Sequence, residues 1–66
     1  MKIQKIISRA KHPLVIFVDG VQLHVLFYGN GIDLPEGALS VWISYRDKKE
    51  ARLDIEMNDA GVMIVR

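Results

Sequence analysis

The spacing of apolar residues changes once along this chain, at Pro13. Before it, in "KIQKIISRAK" (residues 2–11), Ile3, Ile6, Ile7 and Ala10 fall at i, i+3, i+4 and i+7, with Lys2, Lys5 and Arg9 off that stripe. This is the pattern of an amphipathic helix. Pro13 ends it, because a proline disfavours helical geometry at the residue before it. Three isoleucines and a length of ten residues make the helix dependent on docking. An edge strand is the alternative, with Ile3, Lys5 and Ile7 on one face and a lysine at its middle.

After Pro13 the period is two. Asp19-Gly20 stands between two apolar runs, a strong signal for a hairpin closed by a type I′ turn, which needs positive φ at both central residues. That turn pairs Val18 with Val21, Ile16 with Leu23 and Leu14 with Val25. Together with Phe27 these residues make one wholly apolar face that reads as core. The opposite face carries Val15, Phe17, Gln22, His24, Leu26 and Tyr28, a mixture too apolar for water. "GNGIDLPEGA" (29–38) holds three glycines and a proline and reads as a loop.

In "LSVWISY" (39–45), Leu39, Val41, Ile43 and Tyr45 alternate with Ser40, Trp42 and Ser44. In "ARLDIEM" (51–57), Ala51, Leu53, Ile55 and Met57 alternate with Arg52, Asp54 and Glu56. A loop at Asp47-Lys48-Lys49 pairs Ile43 with Leu53, Val41 with Ile55, Trp42 with Asp54 and Ser44 with Arg52, so the faces agree. "NDAG" reads as a type I turn closed by a glycine in the left-handed region. The last strand, "VMIVR", has Val62 and Ile64 inward and Met63 and Val65 outward.

The expected fold is therefore mainly β and a single domain over 1–66. A short helix at about 2–11 precedes a five-stranded antiparallel meander at about 14–18, 21–28, 39–45, 51–57 and 62–66. Five short, twisted strands close into a small barrel or a strongly bent sheet. An open sheet with the helix across one face is the other arrangement.

Length sharpens this picture. Sixty-six residues without cysteine have no disulfide staple and no thiolate metal site. His12 and His24 do not make a structural zinc site by themselves. Burial and chain entropy nearly balance at this size, so packing or self-association has to supply stability. No cofactor is implied. No apolar run is long enough to span a membrane, nor does the N-terminus read as a secretory signal. A cytoplasmic protein with no membrane partner is the expectation.

The net charge of +1 is not that of a dedicated nucleic-acid binder. The charge is unevenly spread, however. Lys2, Lys5, Arg9 and Lys11 precede the first acid, Asp19. Such a segment meets phosphate or an acidic surface, or simply keeps one face solvated.

Catalytic spacing is missing. There is no phosphate-binding glycine loop ahead of a lysine and no nucleophile elbow. His24 sits mid-strand among apolar neighbours and reads as a half-buried, hydrogen-bonded histidine rather than a base. Asp54 and Glu56, two apart, are what any strand with a wet face carries. Trp42 is the most informative residue, since alternation turns it to the polar side of its strand. An outward tryptophan serves as an interface anchor or a stacking platform, unless the helix or Arg52 covers it. The residues expected to meet a partner are Trp42, Tyr28 and Phe17, with Leu26 and Met63 around them. The expectation is a non-enzymatic protein-binding module (a regulator, inhibitor or assembly subunit) that forms a homo-oligomer. The rival is an RNA or single-stranded nucleic-acid binder in which these aromatics stack on bases and Lys2, Lys5, Arg9 and Lys11 meet phosphates.

A helix followed by five strands resembles the Sm-like RNA-binding fold, a barrel of SH3-like architecture. "VIFVDGVQLHV" (Val15–Val25) is similar to that family's first hairpin, where apolar residues flank an Asn-Gly or Asp-Gly turn. The resemblance implies a strongly bent five-stranded sheet whose edges join into a ring. The chain departs from the family in having Val25 where a glycine is usual, and "GNGIDLPEG" where an aspartate normally follows directly. The family's second motif has no counterpart in "IEMNDAGVMIV". No RNA-binding residue carries over.

Overall fold

The structure, a computed structural model, describes residues 3–48 and 52–66. Among these residues every regular element is a strand: β1 (Lys5–Ser8), β2 (Leu14–Val18), β3 (Val21–Leu26), β4 (Gly31–Asp33), β5 (Val41–Tyr45), β6 (Ile55–Met57) and β7 (Val62–Val65). They form two sheets, ordered β4-β1-β7-β6 and β3-β2-β5. The inner faces share one apolar core, to which β1 gives Ile6, β2 gives Leu14, Ile16 and Val18, β3 gives Leu26 and β7 gives Met63 and Val65. The fold is small and compact, with extents of 29 × 24 × 18 Å, and among the described residues no helix is long and apolar enough to cross a membrane.

The expected N-terminal helix is absent. Residues 5–8 are a strand, and the burial alternates: Ile6, Ser8 and Ala10 are buried, whereas Lys5, Ile7 and Arg9 face away from the core. β1 pairs antiparallel with β4 and parallel with β7, so partners on both sides take its backbone groups, and β-branched isoleucine suits that setting. Ser8 tolerates complete burial because its hydroxyl accepts the Ala10 N–H at 3.4 Å. With no helix in front, the element order that carried the likeness to the Sm-like fold does not occur.

The antiparallel meander also fails in part. Two of its hairpins form, β2–β3 and β6–β7. β5 pairs with β2, however, and β6 pairs with β7 alone. The expected pairs Ile43–Leu53 and Val41–Ile55 are therefore not made, and Lys49 and Ala51 of that hairpin lie outside the described residues. The parallel β1–β7 pairing joins the two ends of the chain, a long-range contact that no local pattern announces. Part of the expected loop is strand β4. There Gly31 lies opposite Ile7, and a Cβ on it would come within 3.2 Å of the Ile6 carbonyl oxygen and of the Ile7 side chain.

Both turn predictions agree with the backbone. Asp19 and Gly20 have φ of 50° and 83°, as a type I′ turn requires. Gly61 has φ of 81°, and the Asn58 side-chain oxygen accepts the Ala60 and Val62 N–H groups at 2.9 and 3.1 Å. The register beyond the first turn is different from the expected one. Val18 faces Val21 and Phe17 faces Gln22, but Ile16 faces His24 and Leu14 faces Leu26. Leu23 is thus an extra residue on β3, a bulge. Every side chain after it changes face.

Candidate functional site

The bulge decides what the outer face of the β3-β2-β5 sheet presents. Cross-strand partners share a face. Gln22, Phe17 and Trp42 form one row, and Val25, Val15 and Ser44 the next. Phe27 and Arg46 stand at the third, on either side of Pro13, whose carbonyl accepts the Arg46 N–H at 2.9 Å. The Arg46 guanidinium lies 5.9 Å from the Phe27 ring centroid, within cation–π range. Between these rows runs a shallow groove of about 330 Å³ lined by Val15, Phe17, Gln22, Ser44, Tyr45 and Arg46. Its floor is apolar, while Gln22, Ser44 and Arg46 bring hydrogen-bonding groups to its walls.

Two side-chain contacts hold the ends of β5, and with it Trp42, in place. At one end an Asp19 carboxylate oxygen accepts the Leu39 and Ser40 N–H groups at 2.9 and 2.8 Å and the Ser40 hydroxyl at 3.4 Å. The Ser40 and Leu39 N–H groups hold its carboxyl below the usual carboxylate range. At the other end the Tyr45 hydroxyl donates to the Arg66 carbonyl at 3.0 Å, and its ring meets His12 edge-on at 5.9 Å. The turn residue that makes the hairpin is therefore also the clamp that starts β5.

The expected site residues separate into three groups. Trp42 is 70% exposed and Tyr28 67%; Phe17 is half-buried beside Trp42. Tyr28 belongs to the turn after β3 and stands off the sheet rows. Leu26 and Met63 are corrections, because both are core, at 0% and 8% exposure. The Leu23 bulge turns Leu26 inward opposite Leu14. In β7 four consecutive apolar residues carry no alternation, and pairing with β1 and β6 turns Met63 and Val65 inward while Val62 and Ile64 stay half-buried. Val21, Leu23 and Phe27, expected in the core, are exposed, and so is Leu39. His24, expected half-buried, is exposed as well.

The cations of the nucleic-acid reading lie elsewhere. Lys5 and Arg9 share the outer face of the β4-β1-β7-β6 sheet, Lys11 is exposed on the link to β2, and Lys2 falls outside the described residues. The aromatic row faces the opposite side of the molecule. Among the described residues no group of three or more His, Cys, Asp or Glu is placed to hold a metal ion. The larger depression, about 470 Å³ between the chain before β1 and the loop after β4, brings only Asp33 and Glu36 as ionisable groups.

No family model matches this chain, and neither a search of curated proteins nor one of solved structures finds a match to it.

Proposed function

We propose that this chain is a small protein-binding module, acting as a regulator, inhibitor or assembly subunit without catalysis, and that it associates through the outer face of the β3-β2-β5 sheet. One observation carries the reading. Phe17 and the exposed Trp42 lie side by side at one end of a groove with an apolar floor, and the exposed Phe27 lies against Arg46 at the other. Aromatic residues and arginine are the groups that dominate interface energetics.

The nucleic-acid reading loses support because two of its cations, Lys5 and Arg9, lie on the outer face of the other sheet.

The test is capture of proteins from host lysate by the wild-type chain and by Trp42→Ala, with folding of both checked by thermal melts. Capture that Trp42→Ala abolishes, with a melting temperature close to wild type, is the expected outcome. A variant that captures the same proteins, or a chain retained on an RNA column in a salt-sensitive manner, overturns the reading.

A further inference from the structure

A second surface of this molecule is as unexplained as the first. On β6, Ile55 and Met57 are 46% and 56% exposed although they share a face with Val65 and Met63. They sit at the free rim of their sheet, since β6 is its edge strand. Two residues further on, in the turn, Asp59 is exposed and its carboxylate has no hydrogen bond or ion pair among the described residues. Glu56, by contrast, is held by Arg66 in a two-pronged pair at 2.8 and 3.2 Å. The rim thus presents an apolar residue, a second apolar residue two places on, and an unpaired acid two places beyond that.

The groove offers the complement. Along β5 and its continuation, Trp42, Ser44 and Arg46 occupy the same outward parity. Phe17 lies beside Trp42, and Val15 beside Ser44. Four residues of extended chain, about 13 Å, separate the aromatic end from the guanidinium, while on the rim Asp59 stands in the turn that follows Met57, at the end of β6. Among the described residues, Arg46 is the only charged side chain lining the groove. It touches Asp47 through Nε at 3.5 Å, both groups being half exposed, and its two Nη groups have no partner among the described residues. An exposed pair of that kind is weak, whereas a guanidinium fork suits a carboxylate.

We infer that the occupant of the groove is a second copy of this chain, whose Ile55 and Met57 pack on Trp42, Phe17 and Val15 while its Asp59 pairs with Arg46. This rests on the proposed reading that the outer face is an interface, and it names the partner. The contact is heterologous, since a groove on one copy meets a rim on the next. Assembly therefore closes into a ring or runs open, and does not stop at a two-fold dimer.

Charge reversal tests it directly. Arg46→Asp and Asp59→Arg both alter exposed side chains, so each variant should keep its fold by circular dichroism. In sedimentation velocity across the micromolar range, the wild type should form species larger than a dimer. Each reversal alone should weaken association at least about tenfold, by setting like charges together. The double variant Arg46→Asp/Asp59→Arg should regain it. An equimolar mixture of the two single variants should regain species larger than a dimer, in which the two variants alternate, because both contacts between unlike copies have matched charges. A wild type that stays monomeric throughout overturns the inference. So does a self-association indifferent to both reversals, or a mixture that behaves as its separate components. If the wild type is monomeric yet Trp42→Ala still abolishes capture of another protein, the interface reading stands and only the second copy falls.

Discussion

β2 and β3 are joined by a two-residue turn and both read as apolar strands, yet their fates differ. Of the five residues of β2, four are buried and Phe17 is half-buried; of the six in β3, only Leu26 is buried. The cause is position in the sheet. β2 lies between β3 and β5, with the other sheet across its inner face, whereas β3 is an edge strand. Val21 and His24 have the same inward parity as Val18 and Ile16 but extend past what the second sheet covers. Hydropathy says which residues tolerate burial. Sheet order says which of them receive it.

The comparison breaks most visibly through core substitutions. Ile16→Ala on β2 and Leu26→Ala at the end of β3 each remove a fully buried side chain, and each should cost about 3 kcal/mol. In a domain this size that lowers the melting temperature by roughly 15 °C and leaves little stability in reserve. Val21→Ala, at a residue two-thirds exposed, should change stability by less than about 0.5 kcal/mol. Thermal melts of the three variants check the contrast. Equal losses for Val21→Ala and Ile16→Ala would mean that β3 is covered in solution. A harmless Leu26→Ala would return that residue to the outer face.

These residues also show where the sequence could be read and where it could not. Asp19-Gly20 and Gly61 were legible, because a type I′ turn and a glycine closing a type I turn have few chemical solutions. The outward parity of Trp42 was legible too, since Ser40 and Ser44 flank it and the alternation is clean. Face assignment failed wherever both parities were apolar. Nothing in "VQLHVLF" marks Leu23 as the extra residue, and "VMIV" has no polar residue to choose its outer side. β1 failed for a different reason. Its inward row is Ile6, Ser8 and Ala10, so one buried serine and an outward-facing, half-buried Ile7 disguise a period of two as a helical stripe. That strand is settled by pairing with β4 and β7, a tertiary preference that overrides local propensity. The absence of a β5–β6 pairing, and the groove between Val15 and Arg46, follow from that same long-range arrangement.

Deleting Leu23 separates the bulged register from the plain one. In the structure Leu23 has no cross-strand partner. Its removal keeps Phe17 opposite Gln22, Ile16 opposite His24 and Leu14 opposite Leu26. The deletion variant should fold and lose about 1 kcal/mol, the scale of a half-exposed leucine with a local change in twist. In a hairpin without a bulge the same deletion turns every later side chain to the opposite face and should unfold so small a domain. A chemical-denaturation curve decides between them, and a cooperative transition near that of the wild type is the expected result.

The smallest effect concerns the turn that joins the two strands. Asp19 makes the hairpin by adopting positive φ and holds β5 by accepting the Leu39 and Ser40 N–H groups. Asp19→Asn separates these tasks, because asparagine suits a type I′ turn equally well but brings no charge to the two N–H groups. Those groups lower the pKa of Asp19 in the folded chain. The stability it contributes is therefore fully present above the ordinary carboxylate value, about 4, and is lost as pH falls through the lowered folded value. The wild type should lose stability over that acid range more steeply than Asp19→Asn, and the two melting curves should converge once the aspartate is protonated. At neutral pH the variant should keep its register, with the Trp42 emission maximum unshifted. Parallel acid profiles for the two chains would show that the clamp on Leu39 and Ser40 adds nothing, and that β5 is held by its pairing with β2 and the Tyr45 hydroxyl alone.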